Sequence, residues 1–252
     1  MEDINIINSI HAKKQLGFQL STKISENVTA GIIDGSQVIG YVLKGGADKL
    51  EQINPSSKKT FCPHINLQAW RNAVVITGDS DTGKTLIASI FIRQYKRHFP
   101  QDAIYFISTN DINDDENLNK LTYIQQLDTE ELPEFKAENF QNSLILIDDC
   151  DYSKNKKLIL NLMNDLVERG RKFNVSVIFI SHLNSRLDQT IIYRDFDMYV
   201  TFRDNLLNNR LLENTLKVKP SLLKALEESA PSFVCFNKKY RCVITNKTII
   251  NF

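Results

Sequence analysis

The stretch Thr77–Thr85 reads TGDSDTGKT. Gly78, Gly83, Lys84 and Thr85 carry the spacing G-x-x-x-x-G-K-[ST], which suits a backbone loop wrapped around a chain of phosphates. Glycines at 78 and 83 permit angles that a side chain disfavours. Successive backbone N–H groups can then turn inward, helped by the positive end of a following helix. Lys84 is placed to reach the β- and γ-phosphates as a point charge, and Thr85 to offer its hydroxyl to Mg²⁺. The whole run Gly78, Asp79, Ser80, Asp81, Thr82, Gly83, Lys84 and Thr85 is the candidate nucleotide-binding loop, with ATP and Mg²⁺ as the expected ligands. Two carboxylates in an anion cradle need an explanation. If main-chain amides hold the phosphates, Asp79 and Asp81 can point into solvent, screened over about 8–10 Å. One of them is expected to face an adjacent subunit or the N-terminal segment.

A second pair follows. "LILIDD" ends in Asp148 and Asp149, the Walker B pattern of an apolar strand leading into acids. The first acid of such a pair orients Mg²⁺ through water. The next polarises the attacking water and must come within hydrogen-bond reach of it. That residue is often Glu; here it is Asp149, one methylene shorter. A third signal lies in "ERGRKFNVSVIFISH" (168–182). Ser181 and His182 stand at the tip of an apolar run, where a polar side chain can sense the γ-phosphate. His182 reads equally as an ordinary core or surface histidine.

These residues need a scaffold that presents them together. "AVVIT" (73–77), "AIYFIS" (103–108), "SLILIDD" (143–149), "VSVIFIS" (175–181) and "DMYVTF" (197–202) are short, apolar, β-prone runs. Helical periodicity fills 84–99, stopped by Pro100, then 157–170, stopped by Gly170, and 221–229 behind Pro220. Near-continuous apolar strands alternating with helices indicate a parallel sheet covered on both faces, whose ligands sit at the carboxyl ends of the strands. The predicted fold is therefore α/β: a P-loop NTPase of the RecA/ASCE type, its mostly parallel sheet flanked by helices. A small N-terminal β-rich segment precedes it, and "SFVCFNKKYRCVIT" (232–245) forms a C-terminal hairpin turning at Asn237-Lys238-Lys239. The expected division is 1–68, β-rich segment and linker, and 69–252, the ATPase domain. Within the first part, 53–66 reads as a connector because of Pro55 and Pro63.

Composition narrows the classes. The 252 residues hold 31 Lys+Arg against 30 Asp+Glu, so a globally basic nucleic-acid binder is not indicated, while a local basic patch remains open. No apolar run approaches the ~20 residues needed to span a bilayer, and the start MEDINIINSIHAKK lacks the pattern of a secretory signal. Cys62, Cys150, Cys235 and Cys242 form no C-x-x-C pair. They read as reduced thiols, with Cys235 and Cys242 able to face each other across the hairpin.

Taken together, "GDSDTGKT", "LILIDD" and "RGRKFNVSVIFISH" resemble the poxvirus-type DNA-packaging ATPases of the FtsK/HerA superfamily, which virophages and polinton-like elements also carry. The resemblance covers about residues 72–202 and includes the recurrent "GR" pair, here Gly170-Arg171. It implies a homo-oligomeric ring that threads double-stranded DNA into a preformed capsid, with a capsid or portal-region protein as partner. The host cytoplasm, a viral factory or the virion would be its place of action. It also implies an arginine reaching the nucleotide of the next subunit. Arg171 and Arg169 lead the candidates, ahead of Arg186, Arg194 and Arg203; the bland alternative is a surface arginine capping a helix end. Lys154, Lys156 and Lys157 in "YSKNKK" would hold DNA phosphates, or simply be a solvated helix start.

Two other classes compete with a translocating motor. A P-loop kinase for a nucleoside or another small molecule would use "ERGRK" as a basic lid. A nucleotide-switched scaffold would bind ATP without cleaving it, Asp149 being unable to activate water.

Overall fold

Short runs of β-branched and aromatic residues set the N-terminal architecture. In the computed structural model, which describes residues 18–21, 28–34, 37–44, 52–53, 60–65, 71–129, 132, 135–150, 153–182, 195–202, 206, 212 and 216–251, they form β1 (Phe18–Ser21), β2 (Val28–Asp34), β3 (Gln37–Lys44), β4 (Gln52–Ile53) and β5 (Thr60–Pro63). Four of them make an antiparallel sheet in the order β1-β3-β2-β5. The stretch expected to be a plain connector thus contains strands. Pro63 is tolerated because it closes β5 rather than interrupting a central strand.

The main unit, Ala69–Tyr199, is built as the alternating pattern requires. Its strands are β6 (Ala73–Thr77), β7 (Ala103–Ile107), β8 (Ile124–Gln126), β9 (Ser143–Ile147) and β10 (Val175–Ser181), with β11 (Met198–Thr201) running out of it. The order is β11-β6-β10-β9-β7-β8. The registered pairs β6/β10, β10/β9, β9/β7 and β7/β8 are all parallel. Every residue of β6, β9 and β10 is buried, which is why these strands read as unbroken apolar runs. β8 is short and mostly exposed, and its IQQ sequence gave no strand signal.

Helix α1 (Lys84–His98) buries Ile87, Ala88, Phe91, Ile92 and Tyr95 against the sheet, at helical spacing. Removing one such large side chain would cost about 2–5 kcal/mol. Its last turn carries Lys96, Arg97 and His98, the favourable sign for that end of the dipole. Helix α2 (Lys156–Arg169) buries Ile159, Leu162, Met163, Leu166 and Val167. It runs into a tight turn, Gly170–Phe173, that ends on left-handed Asn174 (φ 57°) just ahead of β10. A Cβ at Gly170 would stand 3.2 Å from the Val175 carbonyl oxygen, so close backbone approach explains this glycine.

The C-terminal part contains α3 (Pro220–Glu228), β12 (Val234–Asn237), β13 (Cys242–Thr245) and β14 (Ile249–Asn251). The expected hairpin exists, but it turns one step later, over residues 238–241, and a third strand follows it. β14 pairs with β4, and the Phe61 N–H donates to the Asn246 carbonyl at 3.2 Å. Residues 200–252 therefore group with 1–68 as a second compact unit, rather than with the nucleotide-loop strand as the sequence reading divided them. The four cysteines are buried, and none of them is in a disulfide. Cys242 pairs with Asn237 and Cys235 with Ile244, a diagonal rather than a facing arrangement.

Candidate functional site

Parallel register decides what meets at the site. Ser181 is level with Thr77, and Phe179 with Ile147 and, through it, Ile107. The residues just beyond these positions therefore emerge at one carboxyl edge: the loop after β6, Ser181-His182 after β10, Asp148-Asp149 after β9, and Thr109-Asn110 after β7. The β10 strand lies between the loop strand and the acid strand, so Ser181 and His182 stand between the two chemical groups.

The loop has the expected form with one correction. Of its two glycines, only Gly83 has a positive φ (94°), capping α1 in the left-handed region; Gly78 does not need that freedom. Asp81 is the second left-handed residue (φ 61°), a conformation Asp tolerates better than most side chains. Asp79, Ser80 and Asp81 are exposed, while Thr82, Gly83, Lys84 and Thr85 are half-buried. The outward aspartates answer the objection that their charge would oppose an anion. Lys84 Nζ donates to the Asp79 carbonyl at 2.6 Å, and the Thr82 hydroxyl to the same oxygen at 2.9 Å. Burial lowers the Lys84 pKa, while Asp148, Asp79, Asp149 and Asp81 raise it. The Gly78 N–H donates to the Ser181 carbonyl at 3.4 Å, and the Thr77 and Tyr199 hydroxyls share a buried hydrogen bond of 2.7 Å under the loop.

The two acids differ in environment. The Asp148 carboxyl is pushed up to about 7, first by burial and then by Asp149, with the Asp149 N–H and Lys84 opposing and Asp115 adding to the rise. Asp149 adopts a left-handed backbone (φ 50°). Its Oδ2 accepts from the Asn110 side-chain amide at 2.6 Å, and its carbonyl accepts from the Thr109 hydroxyl at 3.1 Å. Its Oδ1 lies 3.9 Å from His182 Nε2, beyond hydrogen-bond length. The Ser181 hydroxyl is turned onto the His182 carbonyl at 3.1 Å.

Thr85 and Asp148 offer oxygen donors of the kind Mg²⁺ takes, and a crowded acid held near neutrality is a place where a cation relieves repulsion. Among the described residues no group of three or more His, Cys, Asp or Glu is placed to hold a metal. The donor set thus fits an ion shared with phosphate oxygens rather than a protein-only cage.

The arginine candidates separate. Arg169 is committed to Asp165 (3.0 Å) and Glu138 (3.1 Å). Arg171 is exposed and sits ahead of β10, at the edge opposite the phosphate loop. Arg186, Arg194 and Arg203 lie outside the described residues. Beneath the Gly170-Arg171 turn is a residue the sequence reading missed: buried Arg71, whose Nε and Nη1 have no hydrogen-bond partner among the described residues and whose Nη2 donates to the Asp195 carbonyl at 3.3 Å. Thr109, Asn110 and Tyr199 were missed as well.

Solved structures share the fold. The chain superposes on the DNA-packaging ATPase B204 of Sulfolobus turreted icosahedral virus with a TM-score of 0.51 at 12% identity, covering 70% of this chain and 97% of that one. It superposes on the genome packaging NTPase B204 of Sulfolobus turreted icosahedral virus 2, in complex with AMPPCP, with a TM-score of 0.50 at 12% identity, covering 71% and 98%. The fold is that of the P-loop ATPases. Within it, β6 and α1 flank the P-loop, and β9 carries the acids.

No protein-family model matches the chain. A stretch of 139 residues, 54% of this chain, is 32% identical to protein V3 of Sputnik virophage, itself uncharacterized. The alignment spans 55% of that relative, about half its length. The resemblance to viral packaging ATPases and virophage proteins read from the motifs is thus the one the comparisons return.

Proposed function

We propose that the protein is an Mg²⁺-dependent ATPase whose turnover moves double-stranded DNA, in the packaging of a viral genome into a capsid. The observation that carries the reading is the common carboxyl edge at which Lys84, Ser181-His182 and Asp148-Asp149 converge. Likeness in fold to viral packaging ATPases, and in sequence to a virophage protein, supports the choice of task.

The roles follow from position. The backbone of Gly78–Gly83 and the Lys84 ammonium hold the triphosphate; Thr85 and Asp148 would hold the metal. When bound there, Mg²⁺ would neutralise charge shared between the β- and γ-phosphates. Asp149 polarises water from the far side of β10, while Ser181 and His182 lie where the γ-phosphate can be sensed.

A trans-acting arginine is supported by distance. Arg171 precedes β10, and a strand of seven residues extends about 3.3 Å per residue, so roughly 20 Å separates it from its own phosphate loop. Exposed, and in no ion pair among the described residues, it would serve the nucleotide of a neighbouring copy, which is what a ring provides. Arg169, spent on two carboxylates, is not the finger. Those ion pairs also disfavour the kinase reading, in which "ERGRK" would be a mobile lid.

DNA contact is assigned to Lys154, Lys156 and Lys157. Two of these lysines open α2, whose first turn holds no acid and whose Asn155 side chain donates to the Thr129 carbonyl at 3.2 Å instead of capping the helix. Cations at the positive end of a helix are disfavoured, and a DNA phosphate would relieve that. Contacts of this type are salt-sensitive and largely independent of sequence. A capsid or portal-region protein is the expected docking partner, in the host cytoplasm, a viral factory or the virion.

The test is phosphate release by the full chain with Mg–ATP, with and without long duplex DNA, alongside its mass in solution. Stimulation by DNA in an oligomer is expected. Turnover that needs a small phosphoryl acceptor, or nucleotide binding without turnover, would contradict the proposal.

A further inference from the structure

Asp149 is the residue on which the hydrolytic reading strains most. An aspartate reaches about one methylene less far than a glutamate, so its carboxylate has less freedom to find the water it must polarise. Its location therefore has to be fixed from outside. Two successive residues at the tip of β7 do this. The Thr109 hydroxyl donates to the Asp149 carbonyl at 3.1 Å, and the Asn110 side-chain amide donates to Asp149 Oδ2 at 2.6 Å. One bond restrains the left-handed main chain (φ 50°); the other restrains the carboxylate. Oδ1 remains on the side of His182.

The amide is itself held in place. The Asn110 N–H donates to the Ser108 hydroxyl at 3.1 Å. Gln126, on β8, grips the loop twice: its Nε2 donates to the Asn110 carbonyl at 3.0 Å, and its Oε1 accepts from the Ile112 N–H at 3.0 Å. The Asn110 backbone is thus anchored by groups that do not involve its side chain. That leaves the amide free for one task, and it makes a side-chain substitution at this exposed position a mild structural change.

We infer that Asn110 is a positioning residue for hydrolysis, which with Thr109 clamps Asp149 so that one carboxylate oxygen is occupied and the other is presented to the attacking water. Gln126 supports the clamp one layer behind. The inference rests on Asp149 acting as the base, and the charge logic is simple. An amide donor stabilises the carboxylate where it is needed. An aspartate of the same shape at 110 would repel it.

The experiment measures steady-state ATP turnover of the full chain, with Mg²⁺, for Asn110→Ala, Asn110→Asp, Asp149→Asn and the double variant Asn110→Ala/Asp149→Asn, with melting temperature as the check on folding. Loss of a bond to a charged group converts to roughly a tenfold or greater fall in kcat for Asn110→Ala. Asn110→Asp should fall further, while KM for ATP stays within about threefold in both, because neither variant touches the residues that hold phosphate. Adding Asn110→Ala to Asp149→Asn should change nothing, since the clamp acts only through Asp149. Normal turnover in Asp149→Asn would remove the base assignment itself. An inactive Asp149→Asn beside Asn110 variants with wild-type kcat would overturn the clamp alone. So would a further loss in the double variant.

Discussion

The hydroxyls of Thr77 and Tyr199 meet at 2.7 Å in a buried hydrogen bond directly beneath the start of the phosphate loop. It ties the strand that carries the loop to β11, next to it in the sheet. Tyr199→Phe removes one partner and leaves the Thr77 hydroxyl buried and unpaired, at a cost of about 1–3 kcal/mol. Denaturant unfolding should show that loss, together with weaker nucleotide binding. Unchanged stability would mean that the bond does not support the loop.

Gly170 is set by proximity, since its own φ of −54° suits any residue. A methyl group there would stand 3.2 Å from the Val175 carbonyl and 3.4 Å from the Val175 Cβ. The backbone oxygen cannot swing away as a side chain would. Gly170→Ala should therefore lose about 1 kcal/mol, the overpacking outweighing alanine's better helical propensity. A raised melting temperature would show that the turn relaxes freely.

Arg169 and Arg171 should separate cleanly on mutation. Arg171→Ala should keep the fold and ATP binding but lose turnover in the assembled protein, and mixing it with wild type should restore part of the activity. Arg169→Ala should leave turnover largely intact, because its ion pairs with Asp165 and Glu138 are partly exposed and screened. Absence of rescue on mixing would place the role of Arg171 within its own subunit.

How legible each feature was depends on how local its cause is. The loop, the acid pair and both long helices announce themselves within a few residues, because glycine spacing and apolar periodicity are local properties. Asn110 carries no signal of its role in the sequence, since its partner lies 39 residues away and nothing near it announces the bond. The position of β10 between β6 and β9 is a property of sheet order, which no single strand encodes. β8 has one half-buried residue out of three, too little for any alternation to show. The grouping of 200–252 with the N-terminal residues depends on the pairing of β4 with β14, remote in sequence.

Burial of Cys62 pushes its thiol up to about 12, a backbone bond to Gly31 opposing the shift. Tyr240 is also raised to about 12, by burial first and Cys242 second. The folded state thus keeps protons that the unfolded state releases from about pH 9 upward. Stability contributed by Cys62 is full below pH 9 and is lost as pH rises toward 12, at up to about 1.4 kcal/mol per pH unit. Denaturation midpoints across this range should fall, and Cys62→Ala should make the decline shallower. An equal slope in both proteins would show that Cys62 titrates normally.

In the proposed reaction one backbone loop and one ammonium group hold the triphosphate, and water polarised by Asp149 attacks it. The most direct measurement compares wild type with Lys84→Ala, by calorimetric titration with Mg–ATP and by phosphate release from the same samples. Wild type should turn over ATP, and the variant should bind at least about tenfold more weakly and show no turnover. Lys84→Ala protein that binds and hydrolyses ATP as wild type does would contradict the proposed reaction.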